Sequence, residues 1–222
     1  MKQRDTAKSN FVTGTSFFTQ RAGGMMGRLN VTKMHGGKME FTNQQKLIIG
    51  LLTDIHEKLG INDSYDADFV RRAVVEDQGW ALSWRYPGSF EESGDDPQEV
   101  SYVSDVLEMW SVLESSFEAL DAAKRKQLAE VANPFGRNVK FPGFDGNNEH
   151  EYLAIARIFV DDLDRWTEFK GRVNNSHMPT TDRYKRMITE FKAIREQKNT
   201  NHDYSLLDSD HLAQVLNSQR RA

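Results

Sequence analysis

The stretch TNQQKLIIGLLTDIHEKLG, Thr42 to Gly60, decides the fold. Thr42-Asn43-Gln44-Gln45 supplies an N-cap and a polar first turn, because a threonine hydroxyl can accept from an amide that has no partner inside the helix. Leu47, Ile48, Leu51, Leu52, Ile55 and Leu59 then return at the spacing of one helical face. Gly60 is a natural stop, since glycine takes a left-handed backbone without steric cost. One amphipathic helix is therefore written here with both of its ends.

The same signals recur downstream. A second helix is expected from about Asp66, carrying Phe69, Val70, Ala73 and Val74, with an end at Gly79. Trp80, Trp84 and Tyr86 mark a helix or loop boundary closed by Pro87-Gly88, and Glu91 to Pro97 reads as a solvated acidic loop. A long helix follows from about Pro97, with Val100, Val103, Leu107, Trp110, Phe117 and Leu120 on its buried stripe. A shorter one covers Asp121 to Val131, and Pro134 to Gly146 reads as loop. The most apolar helix is expected over roughly Asn148 to Val173. Pro179-Thr180-Thr181-Asp182 opens another, and a last short one follows Ser209. No segment alternates as a strand would, and no internal repeat is visible. The expectation is an all-α fold, a single compact domain of about seven packed helices over residues 39–222, with Trp80, Trp84, Trp110 and Trp166 in its core.

Composition narrows the function classes. With 222 residues the chain suits one domain, and with no cysteine it has no disulfide, thiolate nucleophile or Cys-ligated metal site. A mean hydropathy of −0.67 and the lack of any apolar run near 20 residues argue for a soluble, cytoplasmic protein without a membrane span. Charge is uneven. Residues 1–38 hold seven Lys or Arg against one acid, Asp5, while the whole chain carries −4. That basic segment has no helical period. It reads as a disordered extension, or as a stretch upstream of a native start at Met39, because codons for Gly36-Gly37-Lys38 can spell a ribosome-binding sequence. The acidic remainder works against tight, nonspecific DNA binding.

Several motifs begin and fail. His56-Glu57 and His150-Glu151 each open a zincin signature, but Gly60 and Ala154 stand where the second histidine should lie one helical turn on. Asp145, Asn148, Glu149 and His150 form a weak ligand-loop candidate for a metal or small molecule. A calcium loop of EF-hand spacing needs glycine at its sixth place, which is His150 counting from Asp145. Helix initiation explains the same residues: Asp145-Gly146 turns, Asn147 or Asn148 caps, and Glu149 and Glu151 complement the helix dipole. No complete catalytic, cofactor-binding or metal-ligating set remains, so no cofactor is expected.

The sharpest binding signal is the helix from Asp182 to Lys198, where Arg183, Lys185, Arg186, Lys192, Arg195 and Lys198 outweigh Asp182, Glu190 and Glu196. Such a face suits phosphates or an acidic partner, with Tyr184 or Trp84 as rings on which bases could stack. The blander reading is an amphipathic helix whose solvated side happens to be basic.

Taken in order, MEFTNQQKLIIGLL (39–52), VLEMWSVLESSF (106–117), FPGFDGNNEHEYLAIARIFV (141–160), YKRMITEFKAIRE (184–196) and YSLLDSDHLAQVLNS (204–218) resemble successive signatures of the bacterial YfbU family. The resemblance implies an all-helical cytoplasmic protein, often of more than one subunit, and it brings no established reaction or catalytic residue. The expected function is a noncatalytic interaction or regulatory protein acting as a homo-oligomer, with protein partners. The alternative is a stress-linked RNA- or DNA-binding factor using residues 182–198.

Overall fold

The computed structural model describes residues 39–89 and 96–220. The expectations for residues 1–38 and for most of the acidic loop lie outside the described residues. Among those described, eight α-helices form and no strand does: α1 Asn43–Leu59, α2 Ala67–Val75, α3 Trp80–Arg85, α4 Gln98–Ala119, α5 Ala122–Val131, α6 His150–Arg157, α7 Thr181–Thr200 and α8 Ser209–Asn217.

Local chemistry sets most of the ends. Thr42 and Gln45 form a reciprocal capping box at α1, and Gly60 closes it in the left-handed conformation at φ 66°. Asp66, Asp121 and Asp208 each turn a carboxylate onto the first amides of α2, α5 and α8. The second helix stops at Val75, earlier than Gly79, and α3 restarts at Trp80.

Helix α4 is the axis of the fold. Val100, Val103, Val106, Leu107, Met109, Trp110 and Leu113 are all buried, as expected for a helix with neighbours on several sides. It packs against α6, α7 and α8, while α5 lies on α8, and α2 contacts α1 and α3. Phe141, Phe144, Phe159, Phe169 and Tyr184 fill the space around it. Their rings meet edge-on or tilted, as in the Phe144–Tyr184 pair at 5.8 Å.

The helix expected over 148–173 does not run through. It starts at His150, widens into a π turn over Ile158–Asp162 and then leaves helical geometry. Asp164 and Trp166 take positive φ values of 50° and 44°. The break has contacts that a straight helix would forgo. Asp162 receives Arg72 at 2.7 Å, its carbonyl receives Arg85 at 2.6 Å, and Trp166 folds back edge-on to Phe159 at 5.3 Å. Trp80 and Trp110 are core residues, and Trp84 and Trp166 are half-buried against that core.

Candidate functional site

The loop from Phe141 to Glu149 is held by two buried carboxylates. Glu114 on α4 accepts from the Phe141 amide at 2.7 Å, from Lys140 at 3.0 Å and from Arg172 at 3.0 Å. Burial alone would raise its pKa, but these donors hold it below the ordinary glutamate value. Gly143 then turns at φ 90°, pressed so close to Asn174 that a Cβ there would lie 1.9 Å from the Asn174 carbonyl oxygen.

Glu149 is the second carboxylate, and it acts away from its own helix. It makes no side-chain cap on α6. Instead it accepts from the amides of Thr180 and Thr181 at 2.6 and 2.7 Å, and from their hydroxyls at 2.7 and 2.6 Å. The Asp145 amide adds a fifth donor at 2.9 Å. Thr180 gives α7 no side-chain cap, so Glu149 caps that helix across the fold. Burial pushes its pKa upward, and the hydroxyl and amide donors more than offset this and lower it.

Asp145 and Asn148, two of the other ligand-loop candidates, are committed to each other and to the turn. Asp145 is buried and accepts from the Asn147 amide at 3.1 Å and the Asn148 side chain at 2.6 Å. His150 is exposed. Asp145, Asn148 and Glu149 thus build a turn and a long-range cap, with Glu149 at the N-cap position of α6 while its side chain caps α7. Among the described residues no group of three or more His, Cys, Asp or Glu is arranged to hold a metal ion. An open cavity of about 420 Å³ adjoins this knot, lined by Asn148, Glu149, Thr181, Arg183 and Arg186 among others.

The basic residues of α7 do not form one phosphate-facing row. Arg186 donates to the Ser218 and Gln219 carbonyls at 3.0 and 2.7 Å, closing the end of α8. Lys192 pairs with Asp105 at 2.6 Å, and the half-buried Arg195 lies over Phe191. Lys198 is buried and bonded to Asp203 at 2.5 Å. Arg183 lies over the Tyr184 ring at 5.4 Å, and Lys185 is exposed. Tyr184 is fully buried, with its hydroxyl on the Gly143 carbonyl at 2.8 Å, so it offers no base-stacking face. Trp84 is half-buried and donates to Asp96 at 3.1 Å.

The open surface feature lies elsewhere, on α1. Leu47, Ile48, Leu51, Leu52, Ile55 and Leu59 are 55–69% exposed. Thr53 is the one buried residue of the helix, and Ile49 is half-buried against the core. Polar contacts hold α1 to α2 and the turn after it. Lys46 bonds Asp77 at 2.7 Å and the Val75 carbonyl at 3.3 Å, while Arg71 reaches Asp54 at 3.1 Å and Glu57 at 3.2 Å. Partly exposed pairs of this kind contribute about 0–1 kcal/mol each, whereas burying one leucine or isoleucine contributes about 1.5–3 kcal/mol. The stripe was legible as a helical face, but periodicity does not say whether the chain's own core covers it.

The fold and its surfaces thus define a helical domain whose buried carboxylates serve architecture and whose conspicuous open feature is an apolar helix face. A family model for the YfbU domain matches residues 39–218, and the chain belongs to that family. No helix among the described residues is long and apolar enough to cross a membrane.

Proposed function

We propose that the chain is a noncatalytic interaction or regulatory protein of the bacterial cytoplasm that acts as a homo-oligomer. The observation that carries this reading is the outward apolar face of α1. Six aliphatic side chains at about 100 Å² each make a patch of about 600 Å², at or above the largest patch of a typical monomer. The polar groups that sequence offered for chemistry, Glu149 and Asp145 above all, are meanwhile spent on internal hydrogen bonds.

The alternative, RNA or DNA binding through α7, has less support, because Arg186, Lys192 and Lys198 serve contacts within the subunit. Light scattering of the full chain across a wide concentration range tests the first reading. A mass of two or more subunits is expected; a strict monomer at every concentration overturns it.

A further inference from the structure

The stripe on α1 has a symmetry that its composition alone does not require. Leu51 is the middle residue of the helix. Leu47 and Ile55 stand one helical turn before and after it on the same face, and Gln44 and Lys58 stand two turns before and after. Ile48, Leu52 and Leu59 widen the stripe to one side. Lys58 is the single charged residue of this face. The charges on its borders are already matched within the subunit, Lys46 by Asp77 and Asp54 by Arg71.

We infer that α1 packs antiparallel against α1 of a second copy, across a two-fold axis beside Leu51. A half-turn about that axis lays Leu47 on Ile55 of the partner subunit and brings Gln44 to Lys58 of the partner subunit, where an amide oxygen can accept from the ammonium. Along the central row from Gln44 to Lys58, apolar positions meet apolar ones and polar ends meet polar ends, as an isologous contact requires. The area agrees. The stripe supplies about 600 Å² per partner, about 1,200 Å² in all, which is the lower end of a specific, stable interface. Because the border charges are matched internally, two copies of an acidic chain can approach here without burying unpaired like charges. Residues 1–38 are a poorer occupant, since their sequence is basic, holds Gly14, Gly23, Gly24 and Gly27, and carries no helical stripe to lay against α1.

This inference rests on the self-association proposed above and adds its place, partner and direction. The absence of cysteine makes the test clean, because any introduced thiol is alone. Leu51→Cys in the full chain, under mild oxidation, should run mostly as a disulfide-linked dimer on a non-reducing gel. Asn43→Cys should not link to itself, since antiparallel pairing sets the two thiols about 24 Å apart along the axis. An equal mixture of Gln44→Cys and Lys58→Cys should give the mixed dimer well beyond the roughly twofold excess over either self-linked product that random pairing yields. Wild-type oligomers whose Leu51→Cys form stays unlinked would overturn the α1 contact and leave self-association standing. Strong Asn43→Cys self-linking would overturn the antiparallel direction. A strictly monomeric wild type would overturn both proposals.

Discussion

The carboxylate of Glu149 accepts the amide of Thr181 at 2.7 Å and the hydroxyl of the same residue at 2.6 Å, although the two lie 32 positions apart. The contact fixes the start of α7 to the loop before α6. Glu149→Gln keeps the shape but turns an acceptor-only group into one that presents two N–H donors to other donors. Loss of charge-assisted bonds at a buried site should cost about 2–3 kcal/mol, read as a lower urea midpoint at unchanged m-value. An unchanged midpoint would contradict the capping role.

Acid sensitivity follows from the same carboxylate and from Glu114. Both pKa values are lowered in the folded protein, so the unfolded chain binds protons more readily. Their stabilisation is therefore fully present above the unfolded glutamate value, about 4.3, and is lost as pH falls through the folded values. Thermal unfolding between pH 7 and 3 should show Tm dropping below about pH 4.3. The drop should be shallower in Glu149→Gln and in Glu114→Gln than in wild type. Parallel curves would assign the acid sensitivity to other groups.

Gly143 marks the tightest backbone approach in the loop. Its φ of 90° disfavours any side chain, and an added Cβ would strike the Asn174 carbonyl oxygen at 1.9 Å. Gly143→Ala should destabilise the fold by more than about 1 kcal/mol. It should also loosen the bond from the Tyr184 hydroxyl to the Gly143 carbonyl. Denaturant unfolding checks the first effect and near-ultraviolet circular dichroism the second.

How much of this was legible depended on the range of the interaction. The caps at Thr42, Asp66, Asp121 and Asp208 are local, and the residues themselves announce them. The long α4 was readable because its apolar residues recur over six turns. The break after Ile158 was not, because Phe159, Val160 and Phe169 stay buried through it and so preserve an apolar pattern. What ends the helix is distant: Arg72 and Arg85 drawing Asp162 toward α2 and α3. The long-range role of Glu149 is hidden for the same reason, since Thr180 and Thr181 are its neighbours only in space. The basic count on α7 was correct, yet Asp105 and the end of α8 absorb much of it.

That distribution separates the residues of α7. Arg186→Ala removes a partner from two carbonyls at the end of α8 and should cost about 1–2 kcal/mol. Lys192→Ala breaks an exposed pair and should cost under about 1 kcal/mol. Titration of the full chain with single-stranded RNA should show no saturable binding that weakens with salt. A steep salt dependence, abolished by Arg183→Glu with Lys185→Glu, would favour the nucleic-acid reading instead.

Self-association through the outward face of α1 is the proposal on which the function and the α1 pairing both rest. Sedimentation velocity of wild type beside Leu52→Glu, at matched concentrations and with helicity checked by circular dichroism, tests it most directly. A dimer or larger species is expected for wild type and a folded monomer for the variant, because the glutamate would have to be buried without a partner. A variant that sediments like an oligomeric wild type, or a wild type that is itself monomeric throughout, would contradict it.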